Sequence, residues 1–98
     1  MDLPNNPNHK TFQSQFEQAA KLTGWKCYHT HNSRNSPSGF PDEVCVRGER
    51  IIFAELKVPP DKVRGDQQEW LDLLAKVPCN EVYVWTPADW GEIVEVIR

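Results

Sequence analysis

The sequence predicts one α/β domain in which helices flank a small mixed β-sheet. Its 98 residues suit a single domain with one modest core, and 39% hydrophobic with 26% charged residues is typical of a folded globular chain. Stretches rich in β-branched and aromatic residues alternate with stretches whose apolar residues recur at helical spacing. The predicted order is αβββαβα, a layered α/β arrangement.

Caps, turns and breakers set the expected boundaries. Thr11 and Asp66 can each cap a helix, because their side-chain oxygens can accept from a free amide of the first turn. Gly48 and Glu49 form a tight turn, so the second and third strands make an antiparallel hairpin. Residues 1–10, rich in proline and asparagine, predict a flexible tail before a domain at 11–98. The predicted helices cover residues 11–23, 66–76 and 88–97, and the predicted strands cover residues 25–31, 42–48, 50–58 and 81–87.

The three cysteines and the N-terminus bear on cellular location. Cys27, Cys45 and Cys79 show no Cys-x-x-Cys spacing, so we expect reduced, half-buried thiols rather than a disulfide framework or a zinc ribbon. The apolar runs are much shorter than a membrane span, and the N-terminus lacks the layout of a signal peptide. We therefore expect a cytoplasmic protein without a membrane partner.

The formal net charge of −3 argues weakly against nucleic-acid binding, but the charge is uneven. Residues 1–41 carry four basic and two acidic side chains, whereas residues 66–98 carry two basic and seven acidic ones. A face built from the first part of the chain could meet phosphates while the acidic part faces water. The total charge therefore does not exclude a nucleic-acid partner.

Three ionisable residues are expected to meet at one end of the hairpin. Glu55 and Lys57 are two residues apart on one strand, so their side chains share a face. The turn at 48 and 49 pairs Asp42 with Glu55. Two carboxylates in contact repel unless a cation lies between them, and Mg²⁺ or Mn²⁺ suits such oxygen ligands. With a lysine beside it, this site fits phosphodiester hydrolysis; the alternative is an exposed edge strand whose lysine blocks unwanted pairing.

Several ordered motifs resemble a known nuclease family. GFPDEV, FAELK, DQQEWLDLL and EVYVWTPADW resemble, in this order, the VRR-NUC (virus-type replication-repair nuclease) domain of the PD-(D/E)XK nuclease superfamily, over about residues 12–95. The resemblance implies a restriction-endonuclease-like fold and a metal-dependent DNA endonuclease. It also implies branched DNA such as a Holliday junction as a candidate substrate, a homodimer, and a phage-like origin in a bacterial or phage-infected host cell.

The resemblance also implies roles for individual residues. It makes Asp42 and Glu55 metal ligands, adds the backbone carbonyl of Leu56 as a further ligand, and makes Lys57 the catalytic lysine. A glutamine that opens the second helix belongs beside this site. The candidates for it are Gln67 and, in the alternative register, Gln68.

The first helix departs from the family pattern. Such nucleases often supply an acidic residue from this helix, whereas alignment here places His9 or Thr11 at that position. A register shift of about half a turn would instead bring in Gln15 or Glu17. A missing ligand leaves a second function open: a catalytically weakened nuclease-fold module that binds structured DNA or acts as an accessory subunit.

The segment YHTHNSR and its flanks supply candidate DNA contacts. The resemblance favours His29 and Ser33 as residues lining the DNA side, and Arg34 and Lys26 suit contacts with phosphates. Two alternatives remain for this segment: an ordinary solvated loop, or a transition-metal site at His29 and His31. No third protein ligand for such a site is evident in the sequence.

Overall fold

The computed structural model describes residues 7–31 and 35–98. The elements follow the predicted order αβββαβα, which is confirmed. The helices are α1 (His9–Leu22), α2 (Gly65–Ala75) and α3 (Trp90–Ile97), and a short 3-10 helix (Pro87–Asp89) precedes α3. The strands are β1 (Lys26–His29), β2 (Glu43–Arg47), β3 (Arg50–Leu56) and β4 (Asn80–Trp85).

The four strands form one mixed sheet in the order β1-β2-β3-β4. The first three are antiparallel neighbours, and β4 lies parallel to β3 after the crossover through α2. In the hairpin, Arg47 pairs with Arg50 and Glu43 pairs with Ala54. Extending this register by one residue places Asp42 across from Glu55, as the position of the turn at residues 48 and 49 predicts.

Helices cover the sheet on both faces. On one face, Ile52, Ala54 and Leu56 join α1 and α3 in the main core, whose buried members also include Phe12, Phe16, Cys45, Trp85, Ile93 and Ile97. On the other face, Phe53 contacts Phe40, which in turn contacts Trp70 of α2. Strand alternation therefore sends neighbouring residues of β3 to different helices.

Two predicted helix caps are wrong. The side chain of Asn8, not Thr11, caps α1: its Oδ1 accepts from the amide of Thr11 at 2.8 Å. Helix α1 therefore begins at His9, inside the segment expected to be tail. Helix α2 begins at Gly65 with Arg64 as its N-cap residue, and the Arg64 amide donates to Gln67 Oε1 at 2.9 Å. Asp66 therefore lies inside the first turn, where its Oδ1 does accept from the amide of Gln67, at 3.0 Å.

The expectation of three reduced, half-buried cysteines is wrong. Cys27 and Cys45 form a disulfide, and Cys79 is an exposed free cysteine. The two bonded residues lie 18 apart in sequence but directly opposite each other on β1 and β2. Cross-strand register, which local cysteine spacing does not report, brings them together.

The lengths and hydropathy of the helices bear on whether any of them could span a membrane. Along residues 7–31 and 35–98, none is long and apolar enough to cross a membrane.

Candidate active site

The turn before β2 presents Asp42 against the start of α2. Gly39 has φ +95°, and a Cβ there would lie 2.6 Å from both the backbone carbon and the carbonyl oxygen of Asp66. Only glycine tolerates both conditions without strain. The buried Pro41 follows and leads the chain into Asp42. Glycine and proline therefore hold this loop close to the N-terminal turn of α2.

The carboxylates of Asp42 and Glu55 lie together and are held by backbone amides. The Asp42 amide donates to Glu55 Oε1 at 3.2 Å, and the Leu56 amide donates to Asp42 Oδ2 at 2.9 Å. The second contact also places the peptide group of Leu56 at the site. Because backbone groups position both side chains, the pair is preorganised by the hairpin register.

Burial and charge make the Glu55 carboxylate unusual. Its side chain is 1% exposed, and Lys57 Nζ pairs with Oε2 at 3.3 Å. That oxygen accepts no well-directed hydrogen bond among the described residues. Burial, followed by the charge of Asp42, raises the pKa of Glu55 to about 7, against the lowering effect of Lys57. The carboxylate is therefore ready to accept a further cationic partner.

These groups fit a hard divalent cation. Asp42 remains a quarter exposed, so its carboxylate is accessible, while Glu55 supplies a buried oxygen with an incomplete set of donors. A cation between them would replace the repulsion that raises the pKa of Glu55 with attraction. Mg²⁺ and Mn²⁺ prefer such carboxylate and carbonyl oxygens, with water completing the shell.

Several residues were candidates for the first-helix position that often carries an acidic ligand. Of these, the structure places His9 at the site. Its Nε2 lies 3.3 Å from Asp42 Oδ2. The backbone amide of Thr11 is engaged in the cap, and the side-chain oxygen of Gln15 is buried without a partner in the described part of the chain. Glu17 instead pairs with His29, with 3.4 Å between Oε2 and Nδ1. Thus a histidine, rather than an acid, extends from α1 toward the carboxylate pair.

Gln67 lies in the first turn of α2, beneath the loop that carries Asp42. The residue is 7% exposed, and its backbone nitrogen lies 2.9 Å from the position that a Cβ on Gly39 would take. Its side-chain oxygen accepts from the amide of Arg64. Gln68 points elsewhere, because its Nε2 donates to Asp72 at 2.9 Å. Of the two register alternatives, Gln67 is the one packed against the Asp42 loop.

The candidate DNA contacts are spread over the β1 region. His29 ends β1, pairs with Glu17 and contacts the ring of His31 with a centroid separation of 4.5 Å. Lys26 begins β1, is exposed and lines a surface cleft. Ser33 and Arg34 lie outside the described residues.

A second acidic group, which the sequence did not single out, lies on the opposite face of the sheet. Glu43 is fully buried, and Gln13 Nε2 donates to its Oε2 at 2.7 Å. Burial, followed by the neighbouring Glu17 carboxyl, raises the pKa of Glu43 to about 9. Cys27 and Cys45 share its surroundings. The hairpin register and the alternation along β2 are the signals that could have revealed this grouping.

The chain is similar to known proteins over nearly its whole length. The model of the VRR-NUC domain family matches residues 6–86. A solved VRR_NUC domain is 20% identical with a TM-score of 0.70, and covers 89% of this chain and 94% of that one. A VRR_NUC domain protein is 18% identical with a TM-score of 0.71, and covers 95% and 87%, respectively. Among curated proteins, none matches this chain.

A third similar structure is Hjc, a Holliday junction resolvase from the archaeal hyperthermophile Archaeoglobus fulgidus. It is 23% identical with a TM-score of 0.59, and the match covers 76% of this chain and 63% of the resolvase. These likenesses show a restriction-endonuclease-like fold, as the sequence predicts. The family model spans most of the chain, so this protein belongs to the VRR-NUC domain family.

Proposed function

We propose that this protein is a metal-dependent DNA endonuclease that hydrolyses phosphodiester bonds. The observation that carries the proposal is the meeting of the Asp42 and Glu55 carboxylates with Lys57 at one end of β3. Membership of the VRR-NUC family and the fold shared with a resolvase support a DNA nuclease.

Each residue of the site has a separate proposed role. Asp42, Glu55 and the carbonyl of Leu56 would hold Mg²⁺ or Mn²⁺, and the bound ion would supply Lewis-acid chemistry for phosphodiester hydrolysis. The side chain of Lys57 is 13% exposed, so its ammonium lies in a largely desolvated position. There it orients the attacking water and stabilises the charge that develops on phosphorus oxygens. Gln67 supports the loop that carries Asp42.

Branched DNA is the proposed substrate. The fold is shared with a protein described as a Holliday junction resolvase, and a four-way junction is symmetric. Two related cuts in a symmetric junction need two related active sites, so we propose a homodimer. Such a nuclease would act in the cytoplasm of a bacterial or phage-infected cell, where its DNA substrate lies.

DNA contacts beyond the carboxylates are proposed for His29, Ser33, Arg34 and Lys26. Lysine and arginine suit backbone phosphates, and such contacts position a nucleic acid without selecting its sequence. The exposure of Lys26 and His29 on the edge strand β1 supports this role for those two residues.

One observation favours a second candidate function. His9 occupies the place beside Asp42 where an acidic ligand is expected from the first helix. A site with only two carboxylates binds a divalent cation less tightly. The second candidate is therefore a catalytically weakened module that binds structured DNA or serves as an accessory subunit.

Cleavage of end-labelled junction, duplex and single-stranded DNA tests the proposal. Each substrate is incubated with the wild-type protein in Mg²⁺, Mn²⁺ or EDTA, beside the Glu55→Gln and Lys57→Ala proteins. Glu69→Gln and Lys76→Ala are matched controls, because both side chains are exposed on or just after α2. We expect metal-dependent cutting of the junction that both site variants lose and both controls keep.

The other outcomes separate the two functions. Junction binding without cutting in any metal, for wild type and site variants alike, would replace the nuclease with the binding module. Cutting that survives Glu55→Gln would show that another group holds the metal. Neither cutting nor binding would overturn both candidates.

A further inference from the structure

Three potential metal ligands meet on the face of the sheet that packs against α1. Cys27 of β1 pairs directly with Cys45 of β2, and Glu43 precedes Cys45 by two residues on the same face. One ligand atom from each residue lies within 4.8 Å of the others. We call Cys27, Cys45 and Glu43 the thiol–carboxylate cluster.

The cluster contains a buried oxygen without a donor. Glu43 and Cys45 are both 0% exposed. Gln13 donates to Oε2 of Glu43, but no group in the described segments donates to Oε1. The neighbouring Glu17 carboxyl supplies no cation: its side-chain contact and its charge both favour the protonated form and raise the pKa of Glu43. A fully buried carboxylate oxygen without a partner is costly, and a cation would satisfy it.

The donor set suits a borderline-soft metal. Two thiolates and one carboxylate prefer Zn²⁺, Co²⁺ or Cd²⁺ over Mg²⁺. A tetrahedral zinc site places its ligand atoms roughly 3.5 Å apart, given its bond lengths. The ligand atoms of the cluster lie within 4.8 Å of one another, and reduction of the disulfide would free its two sulfur atoms to move apart to that spacing.

The cluster can be reached from solvent, and a candidate fourth donor lies next to it. A surface cleft of about 310 Å³ is lined by Cys27 and Glu17, together with Lys21, Trp25 and Lys26. Thiol reductants and metal ions can therefore reach Cys27 from solvent. His29 lies directly opposite Glu43 in the register, on the same face as Cys27. Its Nδ1 pairs with Glu17 at 3.4 Å, so it becomes a fourth donor only by turning from Glu17 toward the cluster.

We propose that Cys27, Cys45 and Glu43, with His29 in the fourth position, form a site for a zinc-type divalent ion when the Cys27–Cys45 disulfide is reduced. A thiol reductant supplies the two electrons and two protons: the S–S bond breaks, two thiols form, and the reductant becomes a disulfide. Metal binding then releases the thiol protons to solvent. The site is separate from the nuclease carboxylates, because Glu55 projects from the opposite face of the sheet.

Cobalt titration of the reduced protein tests the proposal. The full chain is reduced with dithiothreitol, freed of reductant under anaerobic conditions and titrated with Co²⁺ while near-ultraviolet and visible absorption are recorded. We expect one equivalent to give a sulfur-to-cobalt charge-transfer band and tetrahedral d–d bands, both lost on addition of Zn²⁺. The oxidised protein keeps its fold but lacks the Cys27 and Cys45 thiolates, so it should show neither.

Variants identify the ligands. Cys27→Ser and Cys45→Ser should each abolish the charge-transfer band, and Glu43→Gln and His29→Asn should weaken Co²⁺ affinity at least about tenfold. The matched controls are Cys79→Ser, His31→Asn and Glu55→Gln, all of which should keep the band. Circular dichroism of each reduced variant shows whether it folds.

Several results would overturn the proposal. The first is a reduced wild-type protein that gives no charge-transfer band. The second is a band that also appears in the oxidised protein or persists in Cys27→Ser. Loss of the band in Cys79→Ser would assign the thiolate to the exposed cysteine instead. Because the oxidised wild-type comparison needs no substitution, the test stands even if a cysteine variant fails to fold.

Discussion

Asp42 and Glu43 are neighbours in sequence but lie in opposite environments. Asp42 is a quarter exposed and lies beside the buried Glu55. The imidazole of His9 contacts Asp42, and the ammonium of Lys57 pairs with Glu55. Glu43 is fully buried on the other face, where its immediate charged neighbour is the acid Glu17. The difference teaches that burial alone does not identify a catalytic acid; the cationic partner and the open approach do.

The largest expected effect would test the Asp42 side of this comparison. Glu55→Gln should lower metal-dependent cleavage by at least about 100-fold, because it removes a charge that holds the cation. At pH 8 the same change should raise the melting temperature, since an amide replaces a buried, repelled carboxylate. Cleavage assays and thermal unfolding of the same preparation measure both. Reduced cleavage together with a lowered melting temperature would instead indicate a structural role.

The next effect concerns the disulfide on the Glu43 side. Replacing both Cys27 and Cys45 by alanine should lower the free energy of unfolding by about 3 kcal/mol, because the crosslink closes a loop of 18 residues in the unfolded chain. Urea unfolding in the presence of a chelator measures this free energy of unfolding. Cys79→Ala, at an exposed free cysteine, should change the value by less than about 0.5 kcal/mol. Equal stability of the double variant and the wild type would contradict this role.

The pH dependence of stability should separate the two acids. Each has a pKa raised by folding, to about 7 for Glu55 and about 9 for Glu43. For each acid, the relevant pH range lies between its pKa in the unfolded chain and its higher pKa in the folded protein. In that range the unfolded chain has released the proton that the folded protein still holds, so the free energy of unfolding falls as pH rises. Above pH 7 the remaining fall, up to about 1.4 kcal/mol per pH unit, belongs to Glu43.

Urea unfolding between pH 5 and pH 9 measures this dependence. Glu43→Gln should flatten the curve between pH 7 and pH 9, whereas Glu55→Gln should flatten it mainly below pH 7. Glu69→Gln, at an exposed position, serves as the control and should follow the wild type. A wild-type curve that stays flat between pH 7 and pH 9 would show that Glu43 ionises normally.

The smallest expected effect concerns His9. Glu at this position would add a carboxylate beside Asp42, so His9→Glu should tighten Mn²⁺ binding by about tenfold, or about 1.4 kcal/mol. Titration calorimetry measures the affinity, with the uncharged His9→Gln protein as the matched control. Equal affinities for the two variants would show that the end of α1 does not reach the metal.

Much of the hairpin site could be predicted because its determinants are local. A two-residue turn sets the register of β2 against β3, and this register alone places Asp42 across from Glu55. The starts of α1 and α2 could not be predicted, because several side chains near a helix start can accept from a free amide. Asn8 Oδ1 does so at α1, and Gln67 Oε1 accepts from the amide of Arg64 at α2. Which of them does so depends on the path of the preceding chain.

By itself, the sequence determined the order of elements, the hairpin register and the family. These follow from turn chemistry, periodicity and ordered motifs, all of which are encoded over short spans. The tertiary structure alone decided that His9 meets Asp42 and that Cys27 meets Cys45. The first depends on how Phe12 and Phe16 seat α1 against the sheet, and the second on pairing across a long connection. Neither contact leaves a fixed spacing in the chain, because packing and long-range register set both.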